Sequence, residues 1–273
     1  MNLPVLRIVS VASLVVHETV DPARVARLKK QFRSSKLFTN PPLVAELGRG
    51  RYVVLDGANR TTVAQQLHLP HVLVQVVPYD DRSITLNIWN HVLDGTAWLQ
   101  WWKQVHTACG DSILSSTPAS ARRRLARGTF LAIVFNARGE CFGMTSPVGE
   151  QERAALLNVL VETYKGRDVF HRTDEQTMPA VRAIYPVATA LICFPPLKKG
   201  DILRYAGNGW RIPSGISRHV IPGRVLRADI PFSVLRSTET LVQKNRWLQR
   251  LIRERKKENR IRYYREPVYL YAE

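Results

Sequence analysis

The chain is a basic polypeptide of globular composition, with 273 residues, 45% of them hydrophobic, and a formal net charge of +18. This length suffices for one large domain or two modest ones, each with its own core. We expect neither a membrane span nor a secretory signal, because no apolar run approaches about eighteen residues and no basic flank precedes an apolar segment at the start. The three cysteines are widely spaced and lack nearby paired ligands, which favours buried thiols in a cytoplasmic protein over disulfides or a metal site.

The first part of the chain predicts short strands that alternate with helices. Residues 5–16 are rich in Val, Ile and Leu and indicate one or two strands. Asp21-Pro22 has the pattern of a helix start, a capping residue followed by proline, and apolar residues at helical spacing extend this helix to about residue 34. Gly48-Arg49-Gly50 separates two apolar segments and indicates a hairpin. Residues 71–77 alternate as a further strand.

The segment from Tyr52 to Arg60 contains the clearest candidate for a binding site. Apolar residues up to Leu55 predict a short buried strand, an Asp56-Gly57 turn follows, and residues 59–67 have the composition of a helix start. A strand that turns on glycine into a helix leaves N–H groups open at the positive end of the helix dipole. Arg60 adds a permanently charged planar fork. The pattern is typical of a phosphate site, and also of a turn with a capping aspartate and a solvated arginine.

The remainder of the chain predicts a second, larger domain. Residues 84–106 are interpreted as a helix with three tryptophans near its apolar side. The later predicted elements are a strand, a helix and a strand, at residues 130–135, 149–164 and 187–194. We therefore predict an α+β protein, in which an N-terminal domain of residues 1–82, with the candidate phosphate turn, packs on a C-terminal α/β domain of residues 83–273 that ends in a basic helix.

Basic residues are concentrated in two places. Residues 122–127 contain four arginines, and residues 241–265 contain ten basic residues against two acidic ones. The ten are Lys244, Arg246, Arg250, Arg253, Arg255, Lys256, Lys257, Arg260, Arg262 and Arg265. Such clusters attract nucleic acid, an anionic membrane surface or a phosphorylated ligand. Apolar residues recur at helical spacing in the second cluster, so the same sequence also fits a helix that packs on the core with a solvated outer face.

Residues 16–79 resemble the ParB/sulfiredoxin-like superfamily, whose nucleotide site is a glycine turn followed by a polar pair and arginine, here Gly57-Ala58-Asn59-Arg60. Within it, the chain is most similar to the free serine kinases, the phosphoserine-forming enzymes of cysteine and siderophore-precursor pathways. The matching motifs follow in the family's order over nearly the whole chain. They are His17-Glu18 before Val20-Asp21-Pro22, Asn40-Pro41-Pro42, Leu55-Asp56-Gly57, Trp89-Asn90-His91, residues 212–222 and the ending, residues 262–270.

The resemblance implies a kinase that transfers a phosphoryl group from ATP or ADP to the hydroxyl of free L-serine or a related small metabolite, with Mg²⁺ held mainly by the nucleotide phosphates. A serine hydroxyl needs a base as it attacks phosphorus, and Glu18 is the candidate, with His17 as its orienting neighbour. Asp56 is expected to bind the serine amine or the water shell of the metal. The remaining expected contacts are with the phosphates, from Gly57, Ala58, Asn59, Arg60 and Thr61, and with the substrate, from Asn40, Ser217, Arg218 and His219.

Asn59 departs from the family, which more often carries histidine there; asparagine forms hydrogen bonds but does not titrate near neutral pH.

Sulfiredoxin chemistry is excluded, because no cysteine precedes Cys109. A partition protein is disfavoured, since no helix-turn-helix pattern follows the first domain. The alternative is a ParB-like nucleotide-binding transcriptional regulator or DNA-binding protein without kinase activity. We expect any nucleic-acid binding by the basic C-terminal helix to be weak and non-specific.

Overall fold

The computed structural model describes residues 3–167 and 169–264, in which helices and strands alternate. The strands are β1 (Val5–Ser10), β2 (Leu14–Val16), β3 (Leu37–Phe38), β4 (Leu43–Gly48), β5 (Arg51–Asp56), β6 (His71–Val76), β7 (Thr85–Ile88), β8 (Asn90–Asp94), β9 (Ile113–Ser116), β10 (Phe130–Asn136), β11 (Cys141–Thr145), β12 (Phe170–Thr173), β13 (Ala188–Cys193), β14 (Ser217–Val220) and β15 (Ile230–Pro231). The helices are α1 (Pro22–Ser34), α2 (Ala58–Gln66), α3 (Trp98–Cys109), α4 (Pro118–Ala126), α5 (Glu150–Glu162), α6 (Met178–Ile184), α7 (Lys199–Asn208), α8 (Phe232–Arg236) and α9 (Leu241–Lys257), with 3-10 turns at Val11–Ser13 and Gly110–Ser112. The protein therefore has the predicted mixed helix-and-sheet composition. Within the described ranges, no helix combines the length and apolar character needed to cross a membrane.

The chain forms two compact units, and each combines segments that are distant in sequence. Unit 1 comprises Met1–Leu14, Ala23–Pro78 and Ile221–Glu273. Unit 2 comprises Val15–Pro22 and Tyr79–Val220. This division differs from the predicted single boundary at residue 82. Each unit is defined by contacts between distant segments, and such contacts carry no local sequence signal. The predicted ending motif lies outside the described residues from position 265 onward.

Unit 1 is built on a mixed sheet in which four of the strands have the order β1-β6-β4-β5. β4 and β5 form the predicted antiparallel hairpin. β6 pairs antiparallel with β1 along its whole length and parallel with β4. The central strands are buried on both faces, and Val44, Val53 and Leu73 have no exposed surface. The sheet therefore gives β5, and the turn that follows it, a rigid base.

The C-terminal segment of unit 1 is fixed to its N-terminal part by buried polar side chains. The amide of Asn245 on α9 binds the open edge of β1, accepting a hydrogen bond from Ile8 N at 2.9 Å and donating one to Ile8 O at 2.8 Å. Lys244 is fully buried on the same helix. Its Nζ donates to the carbonyls of Leu235 and Ser237 at 3.0 and 2.8 Å, and burial lowers its pKa. One residue of the basic cluster is thus part of the core.

Unit 2 is built on a six-stranded antiparallel sheet with the order β12-β8-β13-β10-β11-β9. The interpretation of residues 84–106 as one helix is wrong for its first half, which forms β7 and β8; the helix α3 begins only at Trp98. β8 lies inside the sheet, where Val92 and Leu93 point to opposite faces and are both buried. A short apolar run that is buried on both faces has no alternation to distinguish it from a helix.

The other predicted elements are confirmed within a few residues. The predicted helices near residues 22–34 and 149–164 are α1 and α5. The predicted strands at residues 71–77, 130–135 and 187–194 are β6, β10 and β13. These segments have either a clear helical stripe or a run of apolar residues bounded by turn residues, and local pattern suffices for both.

Burial sets the protonation of several groups in unit 2. His91 on β8 is fully buried, with its Nδ1 2.7 Å from the hydroxyl of Tyr164 and its Nε2 3.2 Å from the carbonyl oxygen of Gly215. A carbonyl only accepts, so Nε2 carries the proton of a neutral ring and Nδ1 accepts from tyrosine. Burial lowers the pKa of His91 to about 4. The three cysteines are buried thiols, and burial raises the pKa of Cys193 to about 12.

We expect His91 to make the stability of unit 2 fall as the pH is lowered. The unfolded side chain titrates near pH 6.5, whereas its native pKa is about 4. Protons therefore bind the unfolded state first, and stability present above pH 6.5 decreases towards pH 4, by up to about 3 kcal/mol. Urea unfolding at pH 7 and at about pH 4.5 measures the change. His91→Gln should show a smaller pH dependence, whereas His106→Gln, an exposed control on α3, should match wild type; equal slopes in all three proteins would contradict the assignment.

Candidate functional site

The predicted phosphate turn of unit 1 is a left-handed glycine between β5 and α2. Gly57 has φ 97° and ψ 24° and occupies the position before the first residue of α2. A Cβ at this position would lie 3.0 Å from Pro42 Cβ, 3.1 Å from Pro42 Cα and 3.0 Å from Arg60 Nη2. Both the backbone conformation and the close packing therefore require glycine. Side-chain capping of α2 is absent among the described residues, and the first N–H groups of a helix have no intrahelical acceptor, so this end suits an anion.

Arg60 does not extend from the turn as a solvated charge. Its Nη1 donates to the carbonyl of Asn40 at 2.9 Å, and its Nη2 donates to Asp56 Oδ2 at 2.9 Å. Arg224 donates to the same oxygen of Asp56. The side chain of Arg60 is only 19% exposed, compared with 42% for Arg224. The arginine that sequence reasoning chose for phosphate binding thus fixes the turn to the strand before it and to residue 40.

The turn carries an excess of positive charge. Burial lowers the pKa of the Arg60 guanidinium; the charge of Asp56 opposes this shift, and the charges of Arg224 and Arg24 add to it. Arg60 and Arg224 therefore bind one carboxylate at the positive end of α2, and the charge of Arg24 acts on Arg60. This arrangement attracts a polyanion. The side chain of Asn40, predicted to bind substrate, accepts a hydrogen bond from Arg227 N at 3.0 Å within the same unit.

The remaining predicted residues of the turn lie in the first turns of α2. Ala58 and Asn59 are its first two residues, and Thr61 N donates to Gly57 O at 2.9 Å, which closes the first helical turn. Thr61 is fully buried. The backbone of these residues, rather than their side chains, is therefore the part of the motif best placed for phosphate oxygens.

Unit 2 brings together His17 with residues from β14. His17 is fully buried, and its Nε2 lies 3.1 Å from Ser217 Oγ. The ring of His17 meets the ring of His219 edge-on, with centroids 5.7 Å apart. Nε2 of His219 lies 2.7 Å from the hydroxyl of Tyr79. The structure thus brings His17 next to Ser217 and His219, which follow it by about two hundred positions along the chain.

Glu18 is held beside a tight turn of unit 2. Its backbone forms a parallel bridge with Ile212, and Thr19 N donates to Ile212 O at 2.8 Å. Its Oε2 accepts a hydrogen bond from Gly215 N at 3.3 Å. Gly215 has φ +86°, and a Cβ there would clash with the guanidinium of Arg172. The segment from Ile212 to Gly215 therefore fixes the carboxylate of Glu18, which stays partly exposed.

Of the charged groups near this site in unit 2, Arg218 was predicted from the sequence and Lys165 was not. Arg218 lies over the ring of Trp89 at 4.0 Å and forms an ion pair with Asp174 at 3.5 Å. Lys165 Nζ donates to Ser214 Oγ at 3.0 Å and adds a cation beside the turn that holds Glu18. Sequence reasoning missed Lys165, Tyr79 and Arg224. Arg224 follows directly after the matched block 212–222, which was the one local signal; the others are brought in by long-range folding.

The described residues contain no group of three His, Cys, Asp or Glu side chains placed to hold a metal ion. Asp56 is the carboxylate at the phosphate turn, and its side chain is 41% exposed. This donor set fits a magnesium ion that takes most of its ligands from nucleotide phosphates and water, with one carboxylate at most from the protein.

No family model matches the chain. The fold is similar to that of a solved free serine kinase in complex with AMP, with a TM-score of 0.73 at 15% identity over 86% of this chain and 95% of that one. It is also similar to the structure of SbnI with a C-terminal truncation from Staphylococcus aureus, with a TM-score of 0.71 at 23% identity over 91% of this chain and 96% of that one. In sequence, the chain is 26% identical over 265 residues to the ATP-dependent L-serine kinase SbnI of Staphylococcus aureus (strain NCTC 8325 / PS 47), which covers 97% of this chain and 96% of the relative. The predicted resemblance to the free serine kinases is confirmed.

Substituting Gly57 tests the turn against a matched glycine. Gly50, in the β4–β5 turn, also has positive φ, +71°, but a Cβ there meets nothing within 4 Å. Gly50→Ala should lose about 1–2 kcal/mol of unfolding free energy from the left-handed conformation. Gly57→Ala should lose a further 1–3 kcal/mol or so, because the methyl group presses on Pro42 and Arg60. Urea unfolding and calorimetric titration with ADP measure both effects, and Gly57→Ala alone should weaken ADP binding. Equal behaviour of the two variants would show that the close packing at residue 57 is unimportant.

Proposed function

We propose that this protein is a kinase that transfers a phosphoryl group from a nucleotide to the hydroxyl of free L-serine, giving O-phosphoserine. It is a phosphotransferase with an alcohol group as acceptor. The observation that carries the proposal is the similarity, along nearly the whole chain, to a relative named ATP-dependent L-serine kinase. A fold neighbour solved with AMP supports nucleotide use. The relative's name favours ATP as the donor, and the buried thiols favour action in the cytoplasm.

The two groups of residues have different tasks in this reaction. In the proposed nucleotide-binding domain, residues 1–82, the turn Gly57–Thr61 binds the nucleotide phosphates through the backbone N–H groups that precede Thr61 N and through the positive end of α2. Asp56, Arg60 and the neighbouring arginines hold that turn in place and offset the charge of the phosphates. Residues after position 82 complete the serine site. Because phosphoryl transfer involves little covalent chemistry by the protein, positioning and charge supply most of the catalysis.

Glu18 is the proposed general base. A carboxylate accepts the proton of the serine hydroxyl as its oxygen attacks the terminal phosphorus. The hydrogen bond from Gly215 N to Oε2 orients the carboxylate of Glu18. His17 cannot rotate freely, since it is buried and near Ser217, so we assign it to orienting the Glu18 backbone.

The proposed serine site draws on unit 2. The proposed partners of the serine carboxylate are Ser217, Arg218 and His219. These three residues begin β14, two positions after Gly215, which donates a hydrogen bond to Glu18. Arg218 also forms an ion pair with Asp174 and packs on the ring of Trp89. Asp174 therefore offsets part of the positive charge that Arg218 offers to the substrate. Asn40 is proposed to act by shaping the loop before β4, since its side chain is engaged by Arg227 N.

Magnesium, when bound with the nucleotide, neutralises phosphate charge in such reactions. In this chain the residue fitted to contact its water shell is Asp56. Oδ2 of Asp56 is occupied by the two arginines. Oδ1 has no hydrogen bond to any residue within the described ranges, and is the oxygen free for that role.

The direct test is product formation. The purified protein should convert free L-serine to O-phosphoserine with ATP and Mg²⁺, detected by mass spectrometry, and parallel reactions with ADP and with other hydroxylated metabolites define the donor and the acceptor. Absence of O-phosphoserine with every donor, in a protein that still binds nucleotide, would favour the nucleotide-binding regulator instead.

Glu18→Gln should separate catalysis from binding. Glutamine keeps the shape of the side chain and removes its basicity, and general-base assistance is typically worth about 10²–10⁴ in rate. We therefore expect kcat for O-phosphoserine formation to fall by about that factor, while nucleotide affinity changes little. Glu162→Gln, at an exposed position of α5, is the matched control and should retain full activity. Turnover near wild type in Glu18→Gln would mean that another group or water takes the proton.

A role in nucleic-acid binding is favoured only by the formal charge of +18. On α9, Arg246, Arg250 and Arg253 are exposed, whereas Lys244 is buried. We propose that this helix binds nucleic acid weakly and without sequence specificity, so that affinity decreases steeply with salt. Gel-shift titrations between about 50 and 200 mM salt, with wild type and an Arg246→Ser/Arg250→Ser/Arg253→Ser variant, measure this. Sequence-specific binding that persists at high salt and is lost in the variant would instead identify a regulator.

A further inference from the structure

Two arginines of unit 1 share Asp56 Oδ2, but they are committed to the protein to different degrees. Arg60 uses both terminal nitrogens on protein acceptors, Asn40 O and Asp56 Oδ2, and is largely buried. Arg224 has one described acceptor, the same oxygen of Asp56, and its side chain is 42% exposed. A guanidinium has five N–H donors in a planar fork. Arg224 therefore has four N–H donors without a described acceptor on a side chain that is partly exposed. Arg60 has three such donors, but its two terminal nitrogens are both fixed to the protein and its side chain is largely buried.

The backbone on both sides of Arg224 is fixed by one buried side chain. Gln75 on β6 is 2% exposed. Its Nε2 donates to Gly223 O at 3.1 Å, and its Oε1 accepts from Val225 N at 2.8 Å. A buried amide that satisfies both flanking peptide groups holds the residue between them in a defined position. Arg224 is thus an exposed charge on a rigid support, which reduces the entropy lost when it binds a ligand.

We propose that Arg224 is a nucleotide-phosphate-binding residue, and that Arg60 is a positioning residue that holds Asp56 and the Gly57 turn. The inference rests on the proposed function, because it takes a nucleotide as the ligand at this turn. Asp56 orients Arg224 through one nitrogen, and the remaining donors bind phosphate oxygens, the geometry for which arginine is suited. Gln75 is a second positioning residue, which acts through the backbone of Arg224.

Nucleotide binding without serine tests the assignment. Calorimetric titration with ADP should show a Kd about 10- to 100-fold weaker in Arg224→Ala, the range for loss of a hydrogen-bonded charge pair. Arg224→Lys keeps the charge and loses the planar fork, so it should recover part of the affinity. Arg227→Ala is the matched control: it removes the same charge three residues away, from a side chain that is 72% exposed. It should leave the Kd near that of wild type.

The free energy of unfolding distinguishes the proposed roles of Arg60 and Arg224. Arg224→Ala should unfold at nearly the same urea concentration as wild type, because its side chain is partly exposed. Arg60→Lys should unfold at a lower urea concentration, because lysine cannot replace both hydrogen bonds of the guanidinium. ADP affinity in Arg224→Ala equal to that of wild type would overturn the inference, even if the wild type phosphorylates serine, and the proposed function would then stand. A wild-type protein that binds neither ATP nor ADP would overturn both. Equal losses in Arg224→Ala and Arg227→Ala would reduce the effect to general charge and would also overturn it.

Discussion

The carboxylate of Asp56 organises the part of unit 1 that we assign to phosphate binding. It ends β5, accepts hydrogen bonds from Arg60 and Arg224, and precedes the glycine on which the chain turns into α2. Without this negative charge, two guanidinium groups would repel one another at a site that already has the positive end of a helix dipole. With it, the turn keeps a net positive charge and a fixed shape. The charge attracts an anion, and the fixed shape allows glycine alone at residue 57.

The local part of this arrangement was predictable from the sequence. An apolar strand, Asp-Gly and a helix start are contiguous, so the turn at Gly57 could be placed without knowledge of the rest of the fold. The partners of the turn were not predictable in the same way. Arg224 is 168 residues from Asp56 along the chain, and only its position just after the matched block of residues 212–222 distinguishes it from the other arginines of a basic protein. The sequence therefore predicted the turn itself and proposed Arg60 for phosphate binding, whereas we propose Arg224 for that role.

The errors in the fold have a similar origin. Residues 85–94 were interpreted as helix because a run buried on both faces of a sheet shows no alternation, and only the pairing of β8 with β12 and β13 distinguishes it. Lys244 was counted as part of a charged face, although it donates to the carbonyls at the end of α8 from inside the core. Composition and spacing describe which residues are present, whereas the partner of a buried polar group is determined only when distant segments meet.

The position of Glu18, the proposed base, is also determined by contacts between segments that are distant in sequence. Phosphoryl transfer depends largely on positioning, so a general base must be aligned with the hydroxyl as well as able to accept its proton. Glu18 is aligned by its backbone bridge to Ile212 and by Gly215 N. Lys165 and Arg172 lie around that turn and add positive charge beside the carboxylate. Asn59 is compatible with this chemistry: if the phosphates are held by backbone N–H groups and guanidinium ions, the second residue of α2 needs no titratable ring. In the proposed reaction, Glu18 is the group that accepts the proton, and the arginines at the Gly57 turn contribute positive charge.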